Sequence, residues 1–143
     1  MKKNTIIRRL MSKIGKAILS NAALSSFQNA KDALDFQTLV KMDRWTREKH
    51  WVDNQTMDEI ADELGIRKEQ LSLYFRMHVG TSFIKWRREL RIKEAQRLLL
   101  EDKNIPTAII GEAVGISDKS YFRRQFKEVT GLTPAAYRLK NQT

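Results

Sequence analysis

Cysteine is absent from this 143-residue chain, which excludes disulfides and thiolate-ligated metal and suits a reducing compartment. Histidine is scarce as well. His50 and His78 stand far apart, and neither has a partner at ligand spacing. No apolar run approaches the roughly 20 residues that cross a bilayer, and Arg8, Arg9, Lys13 and Lys16 interrupt any signal-peptide core. The chain therefore reads as cytoplasmic, with no membrane span. No nucleophile–base pair, phosphate loop or carboxylate dyad stands out, because Asp58 with Asp62 and Glu59 with Glu63 fall on solvated helix faces. The expectation is a non-enzyme with no cofactor and no metal. Proline occurs only as Pro106 and Pro134, both placed as first-turn helix residues, behind Ile105 and a Thr133 cap respectively. With no convincing alternating strand, the fold class expected is all-α.

What the chain has in plenty is positive charge. Lys and Arg number 27 against 17 Asp and Glu, a formal net charge of +10. That excess favours a polyanionic partner, either nucleic acid or an anionic membrane surface. The length suits one domain or two small ones, with a modest core. The N-terminal stretch "TIIRRLMSKIGKAIL" puts Ile7, Leu10, Met11, Ile14 and Ile18 on one stripe, with Arg9, Lys13 and Lys16 opposite. "FQTLVKMDRWTREKHW" continues helically until Asp53 and Asn54 break it. Thr56 and Glu59 form a capping box for "MDEIADEL", which Gly65 ends. A short helix follows over "KEQLSLYFRMH" up to Gly80, then a long one over 82–102. After "PTAIIGEAV" and Gly115 comes a helix opened by Ser117. On it Phe122, Phe126 and Val129 recur at i, i+4 and i+7 as one buried stripe, so Lys119, Ser120, Arg123, Arg124 and Lys127 project from the other side.

An internal repeat organises these elements. "IADELGI" at 60–66 matches "IGEAVGI" at 110–116, and "LSLYFRMHVGTSFIKWR" at 71–87 matches "FRRQFKEVTGLTPAAYR" at 122–138, with one extra residue in the second turn. Each copy runs helix, glycine turn, helix, glycine, then a short aromatic–Arg segment. A turn so short makes the two helices cross steeply, as in a helix-turn-helix. Leu71 and Phe75 take the buried places that Phe122 and Phe126 take in the second copy.

These residues resemble the DNA-binding domain of the arabinose-regulator (AraC/XylS) transcription factors over roughly residues 45–138. "GISDKSYFRRQFKEVTGLTPAAYR" carries the strongest likeness, and "RIKEAQRLLL" is similar to the family's linker helix. The resemblance implies tandem helix-turn-helix subdomains joined by a long linker helix, each sending its second helix into successive major-groove segments of one face of double-stranded DNA. It divides the chain into an extra helical segment at 1–43 and a DNA-binding domain at 44–143. Within the latter lie a first helix-turn-helix at 56–79, the linker helix at 82–102, a second helix-turn-helix at 105–130 and a closing helix at 133–140. Four positions depart from the family pattern. Gly111 and Ile116 stand where an alanine and a phenylalanine usually frame the second turn, and Arg67 and Leu73 replace a serine and an arginine of the first unit. Phe83, Trp86, Leu90 and the stretch 95–98 of the linker helix are available to clamp both units.

Chemistry then assigns roles. Arginine offers a planar fork that bonds O6 and N7 of guanine together, and Arg124 matches a base-contacting arginine of the family, with Lys119 and Ser120 at polar base-contacting places. Arg123 and Lys127 neutralise phosphate. In the first unit Lys68 and Arg76 supply phosphate contacts. Glu69 accepts from cytosine N4, Ser72 is an adaptable donor, and Leu73 meets either a thymine methyl or the protein itself. RNA polymerase is a further candidate partner, as is a second protomer held through residues 1–43. Two other readings compete: an architectural DNA-binding protein without its own sensor, and an interaction module acting through the N-terminal helix.

Overall fold

The structure, a computed structural model, describes residues 30–142, with side chains from residue 35 on. Among the described residues every regular element is helical. They fall into two compact units, one running up to His50 and over Gln55–Phe83, the other made of Trp51–Asn54 and the chain from Ile84 on.

The first unit opens with α1 (Ala30–Arg47). Thr38, Leu39, Met42 and Trp45 recur at three- and four-residue spacing and are all buried, which turns one face of α1 inward. The division expected at 43/44 thus falls inside a helix whose earlier residues already belong to this core. After a 3-10 turn at His50–Val52 comes α2 (Met57–Leu64). Its capping box is present: the Glu59 N–H donates to Thr56 Oγ1 at 3.2 Å, and the Thr56 N–H donates to Glu59 Oε2 at 2.7 Å. Gly65 ends the helix at φ 64°, and Lys41 Nζ donates to the Leu64 carbonyl at 2.7 Å, placing a cation where the helix dipole is negative. α3 (Lys68–Tyr74) passes into a π turn at Phe75–Val79 that stops at Gly80. The helix expected to run unbroken towards Gly80 therefore widens at Phe75. Phe75 meets the Phe83 ring edge-on at 5.5 Å, and Ile60 and Leu71 are fully buried.

The second unit takes most of α4 (Phe83–Glu101), then α5 (Thr107–Ala113), α6 (Lys119–Thr130) and α7 (Pro134–Lys140). Its core is one cluster: Ile92, Ala95, Leu99, Ile110, Val114, Ile116, Phe122 and Phe126, with Leu98, Ile105 and Tyr137 packed against it. Of the linker-helix residues in this cluster, Ala95 and the packed Leu98 lie in the clamp stretch expected from the sequence, whereas Ile92 and Leu99 lie outside it. Thr133 caps α7 and Pro134 stands in its first turn, as expected. Pro106 instead occupies the cap position of α5. Asp118 rather than Ser117 caps α6, its Oδ1 accepting from the Tyr121 N–H at 2.7 Å, because the carboxylate reaches the free N–H groups of the first turn. Val129 is 39% exposed, and the third inward position of α6 is Gln125 at 9%. Phe122, Gln125 and Phe126 form the i, i+3, i+4 face that fits a twelve-residue helix.

Candidate nucleic-acid interface

Close packing beneath α6 determines which of its side chains face outward. Gly111 is buried in α5, where a Cβ would lie 2.9 Å from the Ile116 carbonyl oxygen and 2.9 Å from the Phe122 ring. That contact lets α5 and α6 approach, and it accounts for glycine in place of alanine. Gly115 has φ 92° and comes so near the Val52 carbonyl that a Cβ would lie 2.2 Å from its oxygen. No side chain is tolerated there on either count.

With Phe122, Gln125 and Phe126 turned inward, Lys119, Ser120, Arg123, Arg124 and Lys127 are all exposed. Tyr121 joins them at the surface. Arg88 of α4 fixes the helix from the side: its Nη1 donates to Gln125 Oε1 at 2.9 Å and to Glu128 Oε2 at 3.4 Å. Among the described residues, Lys119, Arg123, Arg124 and Lys127 enter no ion pair. Four uncompensated cations on one helix face form a strongly positive strip.

The matching side of α3 is more mixed. Lys68, Glu69, Ser72 and Arg76 are exposed, but Lys68 Nζ already pairs with Asp58 Oδ1 at 2.9 Å. The Asp58 carboxylate, through hydrogen bond and charge, raises the Lys68 ammonium above its ordinary value. Leu73 is half-buried and lines a recess with Asp35, Thr38, Gln70, Tyr74, Met77 and His78. It does not share the open face of Ser72 and Arg76. Arg67 is exposed at the cap of α3, where its own N–H donates to Gln70 Oε1 at 2.9 Å. Its place beside Lys68 adds a second exposed cation to the start of α3. The only signal in the sequence was its replacement of the family's serine.

Two arginines that sequence reasoning did not single out hold the segments leading into the helix-turn-helix units. Arg91 is 7% exposed. Its Nε donates to the Trp51 carbonyl at 2.7 Å, and its Nη2 to the carbonyls of Val52 at 3.2 Å and Asp53 at 3.0 Å and to Asn54 Oδ1 at 3.0 Å. Burial, reinforced by neighbouring Arg87, pushes its guanidinium down to about 10, so it stays charged at neutral pH. Arg138 does the same for the second lead-in, donating to the carbonyls of Leu99 at 3.0 Å and Ile105 at 2.7 Å. Among the described residues no group of acidic, histidine or cysteine side chains is arranged to hold a metal ion, and no helix is long and apolar enough to cross a membrane.

Comparison with known proteins bears on the family and the fold. A family model described as a helix-turn-helix domain covers residues 60–140. The arabinose operon regulatory protein of Escherichia coli (strain K12) is 36% identical over 85 residues, covering 59% of this chain and 29% of that protein. An HTH-type transcriptional regulator of Bacillus subtilis (strain 168), YobQ, is 27% identical over 132 residues, covering 92% of this chain and 54% of its own length. Among solved structures, the C-terminal domain of AraT, a response regulator from Geobacillus stearothermophilus, gives a TM-score of 0.66 at 28% identity. It covers 75% of this chain and 87% of that one. A regulator from Chromobacterium violaceum, from proteins containing an AraC-type DNA-binding domain, gives 0.54 at 29% identity, covering 60% and 76%. The chain spans less than a third of the length of the arabinose regulators it matches.

Proposed function

The chain belongs to the AraC-type helix-turn-helix family of DNA-binding transcription regulators, and from that premise we propose that it directs α3 and α6 into successive major-groove segments of double-stranded DNA. The observation that carries this reading is α6, with its aromatic face buried and its unpaired cations outward. Arg124 is the base reader, placing its fork on O6 and N7 of a guanine. Lys119 and Ser120 contact bases near the helix start, where the backbone comes closest to the groove floor. Arg123 and Lys127 meet phosphate and set the register without reading sequence.

The first unit contributes affinity more than discrimination. Arg67 and Arg76 are available to phosphate, and Lys68 exchanges Asp58 for phosphate when DNA arrives. Glu69 accepts from cytosine N4 and Ser72 adapts to its neighbour. The roles of RNA polymerase as a protein partner and of residues 1–43 in self-association are separate questions, read by pull-down and by sedimentation. The deciding experiment on DNA is selection of bound sites from a random duplex library. Two conserved blocks about one helical turn apart are expected, the sharper one at the α6 half-site. Enrichment without sequence preference would instead make the protein an architectural binder.

A further inference from the structure

The two copies of the repeat differ most where the first unit has its recess. In the alignment of 71–87 with 122–138, Leu73 stands at the place of Arg124, Tyr74 at Gln125 and Met77 at Glu128. Arg124 and Glu128 are charged and exposed in the second unit. Leu73, Tyr74 and Met77 instead border a recess of about 290 Å³, and Met77 is 63% exposed at its rim. Leu73, Tyr74 and Met77 thus give one side of the recess an apolar edge where the second unit carries polar and charged side chains. DNA suits it poorly, because Asp35 lines the recess and its carboxylate repels phosphate and attracts a cationic apolar partner. Asp43, by contrast, already pairs with Arg47 at 2.9 Å.

This chain contains such a segment. Residues 1–29 precede α1, and Asp35 lies in the second turn of that helix. The segment carries Lys2, Lys3, Arg8, Arg9, Lys13 and Lys16 and no Asp or Glu. Its stripe of Ile7, Leu10, Met11, Ile14 and Ile18 lies outside the described residues, so its spacing is read from the sequence alone. The chain from Ile18 to Ala30 reaches up to roughly 40 Å when extended, enough to bring the stripe back alongside α1. A tether of this length supplies an effective concentration on the order of millimolar, which favours the chain's own segment over a second copy at micromolar protein. We propose that residues 7–18 dock their apolar stripe into the Leu73–Tyr74–Met77 recess of the same chain. Leu73 is then a protein contact and not a reader of thymine, and the assignment holds whether or not the DNA reading does.

The absence of cysteine permits a direct test in the full-length protein. Met77→Cys is combined with Leu10→Cys or Ile14→Cys and treated with a short bismaleimide at about 10 μM protein, far below the tethered concentration. The expected product has the mass of one chain and forms severalfold faster than with Arg9→Cys or Lys13→Cys on the opposite face. A product of twice that mass would give the recess to a second copy and overturn the assignment to the same chain. Equal yields from all four positions, or none, would overturn docking altogether. The methyl resonance of Met77 gives a second reading that needs no cysteine: Leu10→Glu is expected to shift it, and an unmoved resonance would contradict the proposal.

Discussion

Arg124 and Leu73 hold matching places in the two repeats, and their chemistry sets unequal demands on the two half-sites. Arg124→Ala removes a bidentate donor and is expected to weaken binding by roughly 1–3 kcal/mol while relaxing one base position. Titration of the selected duplex and of its single-base variants reads both effects. Leu73→Ala is expected to leave base preference unchanged, and a new preference at the first half-site would return Leu73 to the DNA. Gly111 imposes a different kind of demand. In Gly111→Ala the new methyl would press on the Ile116 carbonyl and the Phe122 ring, at a cost of about 1–3 kcal/mol for overpacking. Set against the roughly 1 kcal/mol that alanine gains in helix propensity, this leaves a net loss of about 0–2 kcal/mol, so the urea midpoint is expected to fall. A rise would mean that α5 and α6 separate at little cost.

At the scale of elements, the lead-in at Trp51–Asn54 rests chiefly on the Arg91 guanidinium, with Arg87 Nη1 adding a 3.4 Å hydrogen bond to the Asp53 carbonyl. Arg91→Met keeps the stem but strips hydrogen bonds from the carbonyls of Trp51, Val52 and Asp53, with an expected loss of about 2–5 kcal/mol in unfolding free energy. Equilibrium denaturation measures it, and a loss below about 1 kcal/mol would show that water replaces the arginine. Tyr74 makes the stability pH-dependent. Burial, aided by Asp43, pushes its phenol up to about 12. Below pH 10 both folded and unfolded chains keep the proton, so Tyr74 contributes no pH dependence. Between about pH 10 and 12 the unfolded chain releases a proton that the folded one retains, and stability falls by about 2–3 kcal/mol in full. Subtracting the Tyr74→Phe profile from that of the parent isolates this loss, and a flat difference across that range would contradict it.

For the whole molecule the controlling quantity is charge. A formal +10, with the cations of α6 unpaired, makes binding depend on counterion release. With about five to eight phosphate contacts, log K is expected to fall against log salt with a slope of roughly −4 to −7. Arg123→Ala should reduce that slope by about one and weaken all sequences alike, whereas Arg124→Ala should act mainly on the preferred one. A nearly flat salt dependence would separate the basic charge from DNA binding.

The all-helical class, the two glycine-punctuated repeats, the Thr56–Glu59 capping box and the outward cations of α6 follow from local pattern, since caps, turns and helical periodicity act over three or four residues. Other features depended on tertiary contact. Arg91 reaches acceptors 37 to 40 residues away, a relation that leaves no periodic trace in the chain. Val129 gives way to Gln125 on the inner face of α6 because Arg88, 37 residues earlier, supplies the partner that a buried amide requires. Leu73 leaves the open side of α3 because residues of α1 border the same recess. Local sequence determined which segments are helices and which of their residues are able to carry charge outward. Contacts between residues distant in the chain determined which side chains complete each buried face, as with Gln125 in place of Val129, because burial depends on what packs against a side chain.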